Sequence, residues 1–285
     1  MKKSIIILTL ILLLSLSLVY LIGTFLTKAH PVNIGSIPND LKKVRVVSFP
    51  SKSGSQLSGW LLEAKQGKGG ILLLHGVRSN RLQMLRRARF LQKAGYDVLL
   101  FDFQAHGESG GEQITFGYLE SMDADSAYEY LKDRLCNPTV AVIGVSLGGA
   151  SALLGDVKSK AKVMILESVY PSIEKAIDNR LDIHLGSVGS YFSPLLTMQL
   201  KPRLGVGVDG LKPIEQMKDV KGAVLIISGD KDKHTTVKET KAMFSMAKEP
   251  KELWIVEGKG HVDFSEALGE VYEERVLDFL EEWME

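Results

Sequence analysis

The sequence predicts an α/β fold in which a mostly parallel sheet carries helices on both of its faces. The first observation is a set of short, nearly continuous apolar runs, typical of strands buried on both faces of a parallel sheet. These runs lie at residues 71–74, 98–101, 140–143, 163–166 and 224–227. The second observation is that segments with helical spacing alternate with the runs. With 45% hydrophobic and 24% charged residues, the 285-residue chain can form one sizeable core.

Three further strands complete an eight-stranded sheet. Residues 44–49 and 57–62 predict a strand pair, because a Ser-Gly-Ser turn at 53–55 separates them. Residues 252–256 fit a last strand. The helical segments lie at residues 82–94, 120–135, 147–155, 237–247 and 265–282.

Residues 170–211 interrupt this alternation. The segment lies between two strand candidates, is far longer than one crossover helix requires, and contains Pro171, Pro194 and Pro202. Insertions of this length in α/β domains are usually functional. We therefore expect a short cap insertion over a site.

The first 27 residues predict a transmembrane helix. After Lys2 and Lys3, an uncharged run at residues 4–27 would span about 36 Å as a helix, more than a hydrocarbon core of about 30 Å. It exceeds the apolar region of a secretory signal, about 7–15 residues, and no A-x-A cleavage pattern follows it. We favour an uncleaved signal anchor (1–27) over a removed signal peptide, then a linker (28–42) and a globular domain (43–285).

The basic residues around this span give a mixed indication of its orientation. Lys2 and Lys3 favour an amino terminus inside the cell, whereas four basic residues between 28 and 45 follow the span. A short tail before a first span usually stays inside. We therefore expect a single-pass protein whose domain is extracytoplasmic.

The charge balance gives no reason to expect a nucleic-acid partner. There are 35 Lys and Arg residues against 34 Asp and Glu, a formal charge of +1. The local basic run from Arg81 to Arg89 is typical of the solvated face of a surface helix. The histidines and the single cysteine lack metal-ligand spacing, so we expect no metal and no cofactor.

The strongest chemical motif is Gly144-Val145-Ser146-Leu147-Gly148. It follows the apolar run at 140–143 and opens a helix, the context in which a serine nucleophile projects from the carboxyl edge of a sheet. Gly144 and Gly148 remove side chains that would collide in so sharp a turn. The helix amino terminus directs N–H groups at a developing oxyanion. We therefore predict Ser146 as a nucleophile.

A nucleophilic serine needs a base, and the base needs an acid. Among the six histidines, His261 lies in a loop between the last strand and the last helix, from which it can reach the serine. Asp230 and Asp232 follow the run at 224–227, and Glu167 is a third candidate acid. Spacing alone does not choose among these acids.

Two backbone N–H groups are expected to form an oxyanion hole. Leu147 follows the predicted nucleophile, and Val77 lies in the loop after the run at 71–74. His75, directly after the run at 71–74, and His106, in the segment 102–110, are expected to be structural.

From about residue 44 to the end, the sequence resembles α/β-hydrolases of the serine-aminopeptidase-like and the membrane-anchored, BEM46-like branches. The likeness is carried by LLLHGVRSNR, FDFQAHGESGG, GVSLGG, SGDKDKHTT and GKGHVDF. The order serine, acid, histidine matches these enzymes. Their pattern G-x-x-D aligns Gly229 with Asp232, which implies Asp232 as the acid. One departure is that Gln104 and Ala105 stand where the family usually has Arg and Gly.

The resemblance implies a serine hydrolase, carboxylesterase-like or lipase-like, that cleaves carboxylic esters through an acyl-enzyme. We expect a small-molecule or lipid-like acyl substrate. The same triad also serves peptidases, thioesterases and acyltransferases, so these reactions remain alternatives. A non-catalytic anchored scaffold is a further alternative from a different class of protein.

Overall fold

The computed structural model of the protein describes residues 2–284, and eight strands form its main sheet. They are β1 Val44–Pro50, β2 Gln56–Leu62, β3 Gly70–Leu74, β4 Asp97–Phe101, β5 Val140–Val145, β6 Val163–Glu167, β7 Ala223–Gly229 and β8 Lys251–Val256. Their order is β1-β2-β4-β3-β5-β6-β7-β8. Strand β2 is antiparallel to β1 and β4, and all other neighbours are parallel. The predicted eight-stranded, mostly parallel sheet is confirmed.

The helices connect these strands and cover the sheet. They are α1 Lys2–Thr27, α2 Leu85–Lys93, α3 Tyr118–Lys132, α4 Leu147–Leu154, α5 Ile173–Leu185, α6 Ser193–Thr197, α7 Leu200–Leu204, α8 Pro213–Gln216, α9 Val237–Met246, α10 Phe264–Leu268 and α11 Glu270–Met284. The single helix predicted at 265–282 is two helices, because the chain turns at Gly269 with φ of 58°.

Two apolar clusters lie on opposite faces of the sheet. Leu72 and Leu74 of β3 belong to one cluster, whereas Ile71 and Leu73 belong to the other. Successive side chains of a strand point to opposite faces, so this division means that helices cover both faces. The burial explains why the central strands are apolar at every position.

Helix α1 is apolar and long enough to cross a membrane. Most of its side chains are exposed, but Gly23 and Thr27 near its end are buried. The Thr27 carbonyl accepts a hydrogen bond from the Ile114 N–H at 2.8 Å. After the helix, His30–Pro31 pair in parallel with residues 106–107. The end of α1 and the segment after it therefore lie against the domain.

The segment between β6 and α8 is mostly helical. It contains α5, α6 and α7 together with 3₁₀ turns at Gly186–Phe192 and Val208–Gly210. It occupies the part of the sequence for which we predicted an insertion. Helix α6 contacts α1, so the inserted segment lies next to the amino-terminal helix.

The basic run from Arg81 to Arg89 is only partly the solvated face that we predicted. The side chains of Arg81 and Arg87 have 0% exposure, and for these two residues the prediction was wrong. The carboxylate of Asp102 accepts from Nε and Nη2 of Arg81 at 3.1 and 2.6 Å. Charged side chains are buried only when they are paired, and the sequence did not reveal the partners.

Arg87 is held by Glu167 and by groups within residues 263–272. Its Nη2 and Nε donate to the Glu167 carboxylate at 2.5 and 3.0 Å. Its Nη1 lies 2.9 Å from Asp263 and donates to the Ser265 hydroxyl at 3.0 Å. Burial opposes the charge, but the neighbouring carboxylate of Glu167 raises the pKa of Arg87 well above its usual value. The guanidinium of Arg87 therefore stays charged inside the protein.

Replacing Arg87 should destabilise the fold strongly. Arg87→Met leaves the buried Glu167 carboxylate without its cation, and we expect a loss of about 3–5 kcal/mol in the free energy of unfolding. Urea denaturation of the full-length protein in detergent micelles measures this loss. The matched control is Arg86→Met, because the Arg86 side chain is 32% exposed in its pair with Glu273. This substitution should lower the free energy of unfolding by about 1 kcal/mol or less. Equal losses for the two variants would contradict the account.

Candidate active site

Ser146 lies at a sharp turn between β5 and α4. Its backbone has φ of 49° and ψ of −107°, a strained conformation of the kind found at functional sites. A Cβ at Gly144 would lie 2.5 Å from the Gly149 nitrogen, and one at Gly148 would lie 2.2 Å from the Leu74 carbonyl oxygen. Both positions therefore require glycine for the chain to turn here.

Strand β6 joins this turn to the predicted acid. The Ser146 N–H donates to the carbonyl of Glu167 at 2.8 Å. The next residue, Ser168, donates from its hydroxyl to Oδ2 of Asp232 at 3.0 Å. The carboxyl end of β6 thus contacts both the backbone of Ser146 and the side chain of Asp232.

The structure brings His261 and Asp232 together. Nδ1 of His261 lies 2.9 Å from Oδ2 of Asp232. The N–H groups of His234 and Thr235 donate to Oδ1 of the same carboxylate at 2.8 and 2.9 Å. The Asp232 side chain has 0% exposure, whereas 25% of the His261 side chain is exposed. A buried carboxylate therefore orients a partly accessible imidazole.

The hydrogen bonds to Asp232 decide its charge. Burial acts to raise the pKa of Asp232, but the hydrogen bonds from His261, Thr235 and Ser168 hold that pKa below its usual value. The carboxylate is therefore ionised at neutral pH. It accepts a hydrogen bond from Nδ1–H of His261, which leaves Nε2 as the basic nitrogen.

The other two candidate acids lie in different surroundings. Asp230 lies 3.6 Å from the ammonium group of Lys231. Glu167 accepts hydrogen bonds from Arg87 and from the Tyr272 hydroxyl. Within residues 2–284, no hydrogen bond joins Asp230 or Glu167 to His261. Asp232 alone among the three candidates is therefore placed to orient this ring.

An apolar cavity opens beside the predicted oxyanion hole. Val77 and Leu147 both line this cavity, which has a volume of about 170 Å³. Leu147 is the first residue of α4, so its N–H lies at the positive end of the helix. The other lining residues are Gly23, Leu26, Thr27, Arg78, Phe116, Tyr170, Ile173, Ala176, Ile177, Arg180, Leu196, Gln199, Leu200 and Arg203.

His75 and His106 brace the loops around this cavity. Nδ1 of His75 lies 2.7 Å from the Gly76 carbonyl oxygen, and Nε2 of His75 accepts a hydrogen bond from the Phe103 N–H at 3.1 Å. Burial, with the nearby charge of His106, lowers the pKa of His75 to about 3. Nε2 of His106 accepts from the Arg78 N–H at 3.1 Å. The ring nitrogens of both histidines are thus engaged with backbone groups.

The departure from the family pattern at Gln104 and Ala105 has a structural consequence. The Gln104 amide donates to the Gln113 carbonyl at 2.6 Å and to the Glu120 carboxylate at 3.0 Å. Ala105 has φ of 60°, in the left-handed region where an L side chain is strained. The backbone thus keeps a conformation that favours glycine although the residue is alanine.

Several residues of this region were not singled out from the sequence. Ser168 lies two residues after the apolar run at 163–166, and this position at the carboxyl edge of the sheet could have identified it. The partners of Arg87 carried no such signal, because they are distant in sequence. No signal in the sequence indicated that Leu26 would line the cavity, because it is one of many apolar residues in the run that forms α1.

Comparison with known proteins finds hydrolases that are similar to this chain. A family model described as serine aminopeptidase, S33, matches residues 65–196. The structure of the esterase Pf2001 from Pyrococcus furiosus is 27% identical, with a TM-score of 0.73, and the alignment covers 90% of this chain and 100% of that one. The α/β-hydrolase GrgF from Penicillium sp. sh18 is similar in fold, at 22% identity, a TM-score of 0.65 and coverage of 85% and 99%.

A bacterial sequence is similar over most of the chain. YqkD of Bacillus subtilis (strain 168) is 24% identical over 237 residues, which cover 82% of this chain and 78% of that protein. The structural likenesses agree with the topology of the sheet. The predicted α/β-hydrolase fold is confirmed.

Replacing Ala105 with glycine should be tolerated better than the same change in a helix. Glycine removes a left-handed strain of about 1–2 kcal/mol, which roughly balances the greater freedom of glycine in the unfolded chain and the loss of a buried methyl group. The free energy of unfolding of Ala105→Gly, measured by urea denaturation, should stay within about 0.5 kcal/mol of the wild-type value. The control Ala88→Gly removes an equally buried methyl group from α2 without relieving strain, and should lower the free energy of unfolding by about 1–2 kcal/mol. A loss in Ala105→Gly as large as that in Ala88→Gly would refute the strain argument.

Proposed function

We propose that this chain, a hydrolase of the α/β-hydrolase superfamily, cleaves carboxylic esters with a Ser146–His261–Asp232 triad. The observation that carries the proposal is the 2.9 Å contact between His261 Nδ1 and the buried Asp232 carboxylate. It gives the imidazole the orientation and tautomer of a general base. The strained turn at Ser146 supplies the matching nucleophile.

The proposed reaction proceeds through an acyl-enzyme. Oγ of Ser146 attacks the ester carbonyl carbon while Nε2 of His261 takes the hydroxyl proton. The N–H groups of Val77 and Leu147 donate to the resulting oxyanion. The carbon–oxygen bond to the leaving group then breaks, and His261 returns the proton to the departing alcohol. Water repeats these steps on the acyl-enzyme and releases the carboxylic acid and the free serine.

The apolar cavity beside Leu147 favours an acyl substrate over a peptide. Its lining is predominantly aliphatic and aromatic, which suits the hydrocarbon chain of an ester. Similarity to the esterase Pf2001 supports the same choice. The relative GrgF is described as a polyketide transferase, so acyl transfer to an acceptor other than water is the second candidate.

The proposal includes a membrane anchor formed by α1. Its mean hydropathy of 3.0 over 18 residues supports a membrane span. Exposed apolar side chains of the inserted segment, which contacts α1, also support contact with a membrane. Tyr191 is 81% exposed and Met198 is 70% exposed. Exposed apolar patches of this kind commonly contact membranes or partners. With Lys2 and Lys3 inside, the domain would be extracytoplasmic.

Ser146→Ala should abolish ester hydrolysis without unfolding the protein. Removal of the nucleophile from a triad lowers kcat by about four orders of magnitude or more. The measurement is turnover of p-nitrophenyl butanoate by the full-length protein in detergent micelles. Ser228→Ala is the matched control, because its buried hydroxyl makes no hydrogen bond among residues 2–284 and its loss should leave turnover unchanged. Undiminished hydrolysis by Ser146→Ala would contradict the proposal.

A further inference from the structure

The end of the amino-terminal helix forms part of the cavity beside the proposed oxyanion hole. Gly23, Leu26 and Thr27 of α1 line the same cavity as Val77 and Leu147. These three positions share one face of the helix, because residues three and four apart are neighbours on a helix. A segment that resembles a signal sequence therefore lines the site in which the ester would bind.

Helix α1 is attached to the inserted segment through Gln199 and Arg203. The Gln199 amide donates to the carbonyl of Val19 at 3.1 Å. Arg203 donates to the Tyr20 carbonyl at 2.7 Å, and its guanidinium carbon lies 4.1 Å from the centre of the Tyr20 ring. A Cβ at Gly23 would lie 2.5 Å from Oε1 of Gln199, so glycine permits this close approach.

The helix is also attached on the side of the oxyanion loop. Arg78, which follows Val77, donates to the Phe25 carbonyl at 2.9 Å. Its guanidinium carbon lies 4.6 Å from the centre of the Phe25 ring. The last turn of α1 is thus held from two sides, by the inserted segment and by the loop that carries Val77.

The size and chemistry of the cavity indicate the group that it takes. Its volume of about 170 Å³ is close to that of apolar protein cavities that hold a benzene molecule, which has six carbons. The polar residues of the lining are outnumbered by aliphatic and aromatic ones. A hydrocarbon chain of about six to eight carbons suits this space.

We propose that the last turn of α1 forms one wall of the acyl-binding site, and that Leu26 limits the length of the acyl chain. The proposal rests on the ester hydrolysis proposed above and adds the substrate class, esters of medium-length fatty acids. Cleavage of α1 as a signal peptide would remove this wall. The proposal therefore requires that the mature enzyme retains the helix as an anchor.

With α1 as an anchor, the cavity lies at the level of the lipid headgroups. The helix has 26 residues and a length of about 39 Å, whereas a hydrocarbon core is about 30 Å thick. Its last turn therefore extends beyond the core. Tyr20 lies six residues, or about 1.7 turns, before Leu26, and tyrosine is frequent at the membrane interface. An ester at the bilayer surface would be close to the cavity.

Variants of Leu26 test this assignment with the full-length enzyme in detergent micelles. The substrates are p-nitrophenyl acetate, butanoate, hexanoate, octanoate and decanoate. Leu26→Trp fills the cavity, so the ratio of kcat/KM for hexanoate and octanoate to kcat/KM for acetate should fall by about tenfold. Leu26→Ala enlarges the cavity and should move the preference towards decanoate.

The control is Leu21→Trp, the same substitution on an exposed part of the same helix, where Leu21 is 61% exposed. It should leave the chain-length profile of the wild type unchanged. If both Leu26 variants keep the wild-type profile, the assignment of the wall is wrong although esters are hydrolysed. If the wild type hydrolyses no ester of the series, the proposed function itself fails.

Discussion

Arg87 carries a positive charge at a position without exposed surface, and the segments that balance this charge are those around the candidate active site. Glu167, its main partner, ends β6 and accepts the Ser146 N–H through its carbonyl. Asp263, its second partner, lies two residues after His261 and caps the amino terminus of α10. Unpaired buried charge is costly, so this ion pair constrains the relative positions of the serine turn and the histidine loop.

Backbone strain is the second constraint on the site. Ser146 and Ser168 both have positive φ, at the ends of two neighbouring parallel strands. Each such conformation costs on the order of 1–3 kcal/mol and persists only where surrounding contacts enforce it. Ser146 is held by the Glu167 carbonyl at the end of β6, and Ser168 is held by the Asp232 carboxylate. Strain and hydrogen bonding together fix where the predicted nucleophile and acid lie.

The fold and the chemical residues could be predicted because their signals are local. The run at 140–143, the glycines around Ser146 and the loop of His261 are each read from a few consecutive residues. Contacts between distant segments leave no such signal. Arg87 was interpreted as solvated, since its partners lie about 80 and 176 residues away. Spacing alone left Asp230 and Asp232 as alternatives. The family pattern implied Asp232, and in the folded chain the Asp232 carboxylate contacts His261.

The central claim is that this geometry activates Ser146, and covalent labelling tests it most directly. The full-length protein in detergent micelles is treated with a fluorophosphonate, which reacts with activated serines, and the modified peptide is identified by mass spectrometry. The account predicts one adduct, on the peptide that contains Ser146. A folded protein that remains unlabelled, or one labelled at a different serine, would contradict the account.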